Sequence, residues 1–208
     1  MSIKISLQNI SKKYNRHIIF NDVNIEIFNK EKIVVLGANG SGKSTLLQII
    51  AGYVTPSNGA VIYSNTEVEI SREEIYKYIS IASPSIELIE EFTLLENVDF
   101  YTQLKPLKNN LSPLQIAELC YLENSKNKPL NQYSSGMKQR LKLALTITAD
   151  VPLLLLDEPT MNLDKQGINW YKNLITTYAI DKTCIVCSNQ INDEYFFCSK
   201  EINIDNYK

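Results

Sequence analysis

The chain has little that would place it in a membrane, outside a cell or on a nucleic acid. No apolar stretch approaches the roughly 18–20 residues needed to span a bilayer. The longest comparable run, Val151 to Leu156, is strand-sized and begins Val-Pro. The N-terminal Met1-Ser-Ile-Lys-Ile-Ser6 lacks the apolar core of a signal peptide, so a soluble, intracellular protein is expected. No long basic run stands out. The 21 basic and 23 acidic residues leave a formal charge of −2, which makes no case for a nucleic-acid partner. Histidine occurs once, as His17, in a polar turn-like stretch that favours a surface role over catalysis. Cysteine occurs four times. Cys184 and Cys187 have C-x-x-C spacing, which invites a metal or redox reading. Thr183–Ser188 reads as a strand, however, and residues three apart on a strand face opposite sides, so buried free thiols are expected. No internal repeat or long linker is present. With 208 residues and 44% hydrophobic content, the chain can build one sizeable core with a lobe attached.

The apolar pattern changes period along the chain. In residues 1–31, Ile3, Ile5 and Leu7 form one face and Val23, Ile25 and Ile27 another, as in antiparallel strands half open to solvent. Ile33–Leu36 reads as a buried strand, and Leu46, Leu47, Ile49 and Ile50 follow at helical spacing. Asn58-Gly59 predicts a turn before a strand at Ala60–Tyr63. Ser71-Arg-Glu-Glu74 has capping-box spacing ahead of a short helix, and Tyr78–Ala82 reads as a strand. From Ser83 to about Ala149 the pattern is helical. Thr93-Leu-Leu-Glu96 and Ser112-Pro113-Leu-Gln115 are capping boxes, the second with proline at the first helical position. Ser134-Ser135-Gly136 opens a third helix, on which Met137, Leu141, Ala144, Leu145 and Thr148 share a face. A strand at Leu153–Leu156, a helix near Gly167–Tyr178 and a strand at Thr183–Ser188 complete the chain. The pattern predicts an α/β core with an antiparallel β lobe and an inserted helical lobe, in one domain over residues 1–208.

Two segments carry chemistry. Gly37-Ala38-Asn39-Gly40-Ser41-Gly42-Lys43-Ser44, followed by Thr45, reads G-x-x-x-x-G-K-S, the P-loop that cradles a nucleoside triphosphate. Its glycines let successive backbone N–H groups line a concave anion site, and the helix that follows points its positive end at the phosphates. Lys43 can reach the β- and γ-phosphates, and the Ser44 hydroxyl can ligate Mg²⁺. The second segment is Leu153-Leu-Leu-Leu156-Asp157-Glu158, a buried strand ending in two acids. Asp157 can hold Mg²⁺, directly or through water. Glu158 can face the γ-phosphate and polarise a water.

With these motifs the chain resembles the ATP-binding cassette (ABC) ATPases, and the resemblance covers nearly all of it. Gly37–Ser44 matches Walker A, and Leu153–Glu158 followed by Pro159-Thr160 matches Walker B with its catalytic glutamate. Tyr133-Ser-Ser-Gly-Met137, followed by Lys-Gln-Arg140, resembles the signature motif, and Asn162-Leu163-Asp164 the D-loop. Tyr14 stands where the family stacks an aromatic ring on adenine. The resemblance implies a P-loop NTPase (RecA-like) α/β core with an antiparallel β subdomain and an inserted α-helical subdomain over about residues 83–149. It implies ATP and Mg²⁺ as cofactors, with the P-loop residues from Gly37 to Thr45, Tyr14, Ser134 and Gly136 touching the nucleotide. It also implies head-to-tail dimerisation with a second cassette, identical or different, in which Ser134 and the N–H groups of its helix meet the γ-phosphate of the partner's ATP. A separate transmembrane permease subunit is the further expected partner, which places the protein on the cytoplasmic face of a membrane. The short length resembles small single-cassette subunits such as the haem-exporter ATPase of cytochrome c maturation.

Three places depart from the family pattern. The Q-loop glutamine position falls on Pro84, which has no side-chain amide. The switch-histidine position falls on Asn189, a neutral amide that can still hydrogen-bond a γ-phosphate. In the signature, Ser135 replaces a glycine and Met137 a glutamine. One reading is an ordinary transporter cassette with tolerated variation, since Lys43, Asp157 and Glu158 all survive. The others are a weakly hydrolysing regulatory cassette of a heterodimer and an ATP-dependent switch outside transport.

Overall fold

The computed structural model describes residues 2–65 and 68–208. In chain order the elements are β1 (Lys4–Tyr14), β2 (His17–Ile27), β3 (Lys32–Leu36), α1 (Lys43–Ile50), β4 (Asn58–Ser64), β5 (Glu69–Ile70), β6 (Ile79–Ala82), α2 (Leu94–Leu104), α3 (Pro113–Leu119), α4 (Ser135–Thr148), β7 (Leu153–Asp157), α5 (Lys165–Tyr178), β8 (Thr183–Ser188), α6 (Asn192–Tyr195) and β9 (Lys200–Asn203). They divide into two compact units. One comprises the chain up to Ile81 with Val151–Glu158 and Asp181–Lys208; the other comprises Ala82–Asp150 with Pro159–Ile180.

The first unit holds two sheets. The antiparallel one has the order β2-β1-β4-β5. Its register sets Ile5 opposite Ile27 and Tyr63, and the period-2 face of Ile3, Ile5 and Leu7 is buried. Val23 and Ile27 are buried with it, while Ile25 is half-buried. Asn58-Gly59 is not a hairpin turn. Both residues lie within β4, where the register with β1 shifts between Gln8 and Ser11. Gly59 has φ +83°, and a β-carbon on it would lie 2.3 Å from the Gln8 carbonyl oxygen. Glycine is needed there for close approach at a bulge rather than for chain reversal. Ser71 does not cap a helix through its side chain. Its carbonyl accepts the Glu74 N–H at 3.1 Å, and a single 3₁₀ turn, Ile75–Lys77, follows without a side-chain cap.

The second sheet has the order β6-β7-β8-β3-β9. β7 with β8, β8 with β3 and β3 with β9 are parallel. Every residue of β7 and β8 is buried, as expected of strands covered on both faces. The register aligns Leu36 with both Ser188 and Asn203, and Asp157 with Cys187. The segments beginning at Gly37, Glu158, Asn189 and Ile204 therefore leave the sheet at one carboxyl edge, where ligands bind in open α/β sheets. β9 was not anticipated from the sequence, because Lys200-Glu-Ile-Asn203 offers a single apolar residue to an edge strand.

The second unit contains the expected helices. Thr93 caps α2 and Ser112 caps α3, each through a complete capping box. Ser134 caps α4, its hydroxyl oxygen accepting the Met137 N–H at 3.2 Å. α4 is less one-sided than its sequence pattern. Leu143, Thr146 and Ile147 are buried alongside Leu141, Ala144, Leu145 and Thr148. The expected helical insertion, residues 83–149, is also too narrow. Pro159–Ile180, including α5, joins the same unit. The Trp170 indole on α5 donates to the Leu119 carbonyl at 2.7 Å, and α5 packs on α4.

Candidate functional site

β3 ends at Leu36 and α1 starts at Lys43, so the P-loop is a strand-to-helix turn. Gly42 caps α1 with φ +105°, and a β-carbon there would lie 2.5 Å from Ile19 Cγ2. Conformation and space both restrict the position to glycine. The first turn of α1 contains no acidic side chain, so its free N–H groups keep their positive potential. Residues 39–45, Ile19 and Glu158 line an open cavity of about 300 Å³.

Lys43 is only 4% exposed. Its Nζ donates to the carbonyl oxygens of Gly37 at 2.8 Å and Ala38 at 3.0 Å. An ammonium has three N–H bonds, so one remains for a ligand. The Ala38 carbonyl also accepts the Ser41 N–H at 3.1 Å, while Ser41 Oγ is buried without a hydrogen-bond partner among the described residues. This concave, donor-lined loop fits a phosphate chain. The donor set also fits Mg²⁺. Ser44 presents a hydroxyl on the cavity wall and Asp157 a carboxylate at the end of β7, both hard oxygen donors. Among the described residues no cluster of three His, Cys, Asp or Glu forms, so a cation here would draw ligands from phosphate and water.

Glu158 has φ +46°, a left-handed conformation that costs a non-glycine residue of order 1–3 kcal/mol. Its N–H donates to the Cys187 carbonyl at 3.0 Å, which holds the turn. Asp157 stays buried in the strand while Glu158 reaches the cavity wall. Behind the loop, Cys187 Sγ donates to the Lys43 carbonyl at 3.4 Å. Burial pushes the Cys187 thiol well up, and the nearby Asp157 charge adds to the shift, so it stays a neutral donor.

Other expected residues lie outside that cavity. Tyr14, 49% exposed, ends β1, and the Lys12 ammonium sits 4.7 Å above its ring. Asn189 is exposed immediately after β8. The loop that carries it is closed by the buried Ser188, whose hydroxyl donates to buried Glu194 and accepts the Ile191 N–H at 3.2 Å. His17 is exposed at the start of β2. Cys120, Cys184 and Cys187 are free and buried as expected; Cys198 is half-buried.

In the second unit Ser134 and Ser135 are exposed at the start of α4. The Ser134 oxygen is occupied by the Met137 N–H, which leaves its hydroxyl proton free to donate outward. A β-carbon on Gly136 would lie 3.0 Å from the Asn162 carbonyl oxygen. Gln139 donates to the Pro159 carbonyl at 2.8 Å, so α4 holds the 159–164 segment directly. Pro84 lines a cavity of about 160 Å³ with Ser135, Gln139, Lys142 and Asn162 among others.

Residues 20–161 match the ABC transporter family model. The chain is 33% identical over 195 residues to the lantibiotic transport ATP-binding protein SrtF of Streptococcus pyogenes, covering 91% of this chain and 81% of that protein. The chain belongs to the ABC transporter family. Among solved structures it is similar to a dimeric bacterial ABC transporter cassette, with 26% identity, TM-score 0.78, and coverage of 96% of this chain and 94% of that one. It is likewise similar to a dimeric post-hydrolysis state of an ATP-binding cassette bound to ADP and phosphate, with 25% identity, TM-score 0.78, and coverage of 96% and 93%.

The protein is thus an ABC ATPase and an ATP-binding transporter subunit with the P-loop NTPase fold. Among the described residues, no helix is long and apolar enough to cross a membrane. The motifs did not point to Ile19, which lines the ABC cavity from β2. Its only sequence signal is its place in the apolar pair Ile18-Ile19, and nothing in the spacing ties that pair to Gly42. The Gln139–Pro159 bond was equally silent, since glutamine in a helix ordinarily reads as a solvated position.

Proposed function

We propose that the cassette binds ATP in the P-loop, hydrolyses it, and couples ATP-driven dimerisation of two cassettes to a separate transmembrane permease on the cytoplasmic face of a membrane. The observation that carries this reading is the shared cavity of Lys43, Ser44 and Glu158. Lys43 keeps two N–H bonds on the loop carbonyls and offers the third to the phosphates. Ser44 and Asp157 would hold Mg²⁺, whose bound charge offsets that of the β- and γ-phosphates. Glu158, turned out of the strand, orients water or takes its proton. Tyr14 stacks on adenine, and Asn189 donates its amide to the γ-phosphate. Ser134 and the exposed start of α4 serve the ATP of the partner cassette, the geometry in which helix N–H groups meet an anion. The dimeric neighbours, one with ADP and phosphate bound, support this assignment.

A second reading rests on Pro84 and Asn189, which replace two groups expected to handle water and γ-phosphate. On it, this chain is a weakly hydrolysing regulatory cassette of a heterodimer. Steady-state ATPase of the purified chain, alone and with whatever membrane protein co-purifies from detergent extracts, tests both. Turnover by the chain alone, raised by a membrane partner, supports the first reading. Turnover only after a different cassette is added supports the second. ATPase of the chain alone that no membrane partner changes contradicts the first reading, and turnover that no added cassette changes contradicts the second.

A further inference from the structure

The chain leaves β8 through a turn that its own sequence does not favour. Gln190 has φ +60°, in the left-handed region that a non-glycine residue enters at a cost, and such a conformation persists only where neighbouring groups hold it. Two fully buried polar side chains hold this one, Ser188 at the end of β8 and Glu194 on α6. The Ser188 hydroxyl donates to Glu194 Oε2, and its oxygen accepts the Ile191 N–H at 3.2 Å. The Glu194 N–H donates in turn to the Ile191 carbonyl at 2.9 Å. The same pair therefore binds Ile191 at both its N–H and its carbonyl. Asn189 and Gln190 are left exposed between Ser188 and Ile191.

The pair stands at the carboxyl edge of the parallel sheet. Ser188 is aligned with Leu36, the last residue before the P-loop, and Cys187 with Asp157. The Cys187 carbonyl accepts the Glu158 N–H at 3.0 Å, so one strand end carries both the turn of Glu158 and the turn of Asn189. A carboxyl group is seldom buried in full, because burial strips its hydration. Glu194 is buried in full, beside a turn in a strained conformation, yet neither it nor Ser188 lines the P-loop cavity.

We infer that Ser188 and Glu194 are positioning residues for hydrolysis, a buried clasp that fixes the Asn189-Gln190 turn so that the Asn189 amide is held ready for the γ-phosphate. The inference rests on the proposed contact of Asn189 with the γ-phosphate. Neither clasp side chain touches the nucleotide; both act through the backbone of the turn. A donor held in place before charge develops needs no reorganisation as the transition state forms, so the clasp acts on kcat rather than on ATP affinity. The role belongs to the Ser188 hydroxyl and the acceptor oxygen of Glu194, not to a negative charge, which a γ-phosphate would repel.

Hydrogen exchange of the nucleotide-free full chain reads the clasp itself. Ser188→Ala removes the acceptor of the Ile191 N–H, and exchange at Ile191 should rise about five- to tenfold. Steady-state ATPase of the assembled complex reads the consequence. Ser188→Ala and Glu194→Ala should each lower kcat about three- to tenfold, with KM within about twofold of wild type. Glu194→Gln keeps an oxygen acceptor for the Ser188 hydroxyl and should stay within about twofold of wild type in both. Asn189→Ala should lower kcat by a similar factor, and adding Ser188→Ala to it should cost nothing further. Unchanged exchange at Ile191 in Ser188→Ala would overturn the inference. So would wild-type kcat in Ser188→Ala where Asn189→Ala is impaired, which leaves the clasp a purely structural role. Equal loss in Glu194→Gln and Glu194→Ala would assign the effect to charge, and additive losses in the Ser188→Ala, Asn189→Ala double variant would assign it to another group; either overturns the inference. Wild-type kcat in Asn189→Ala would instead contradict the γ-phosphate contact, and with it the role through Asn189, while the exchange at Ile191 still shows whether the clasp holds the turn.

Discussion

The carbonyl oxygen of Asn162 stands 3.0 Å from the point where a β-carbon on Gly136 would lie. Two segments that the sequence marks separately, the start of α4 and the 159–164 segment, therefore approach closely. The Gln139–Pro159 hydrogen bond holds the same pair one turn further along α4. Gly136→Ala sets two effects against each other. Alanine in a helix is favoured over glycine by about 1 kcal/mol, while the new methyl group presses on a backbone oxygen. The melting temperature should stay near wild type, and ATPase should fall by about tenfold as the displaced segment loses its geometry. Parallel melting and ATPase assays check this. Wild-type turnover would show that the Gly136–Asn162 contact has slack to spare.

Lys43→Ala should remove hydrolysis and weaken Mg·ATP binding, and it should also cost stability. The side chain is buried and holds two loop carbonyls. Leaving them without a donor costs roughly 1–3 kcal/mol. Urea unfolding of nucleotide-free protein checks the second effect. An unchanged midpoint would mean that water replaces the ammonium without penalty.

Alkaline pH should destabilise the fold. Burial, with a smaller contribution from Cys184, pushes the Cys198 thiol from an ordinary value of 9.0 up to about 12. Burial also raises Cys120, Cys184 and Cys187. A raised folded-state value means that the folded chain keeps protons which the unfolded chain has released. Stability is therefore intact below about pH 9 and declines as pH rises from there toward about 12. Urea midpoints at about pH 8 and about pH 10.5 should show the decline, and Cys198→Ala should lessen it. A midpoint that does not change with pH would contradict the buried placement of these thiols.

Asn189→His should raise kcat of the assembled complex with little change in ATP affinity. A neutral amide retains part of the contact that a better donor would make as charge develops on the γ-phosphate. The gain is about tenfold, or roughly 1.4 kcal/mol. If Asn189→His and Asn189→Ala both leave kcat unchanged, Asn189 is not at the γ-phosphate.

The sequence was most legible where one local rule decides the structure. The capping boxes at Thr93 and Ser112 formed as their spacing requires, because each is completed within four residues. The P-loop and the Leu153–Asp157 strand were readable for the same reason, although Glu158 turns out of the strand with φ +46°. Elements that depend on distant partners were not. Asn58-Gly59 has the composition of a hairpin turn, and only the approach of Gln8 makes Gly59 a bulge. Ser71 has cap spacing, but the chain after it forms a 3₁₀ turn instead of a helix. α5 joins the helical unit through Trp170 and Leu119, a bond that no periodicity announces. In the site, Ile19 from β2 and Ile204 from the turn after β9 close on the P-loop glycines Gly42 and Gly37, and neither belongs to a motif.

On the proposed function, Glu158 acts on water at a nucleotide held by Lys43 and Ser44, and ATP joins two cassettes. Glu158→Gln tests it most directly, since the amide keeps the shape of the side chain and loses the carboxylate. Size-exclusion chromatography with Mg·ATP should show the variant as a dimer that ADP does not support, with ATP turnover abolished. A variant that turns over ATP at the wild-type rate and stays monomeric with either nucleotide would rule out both roles.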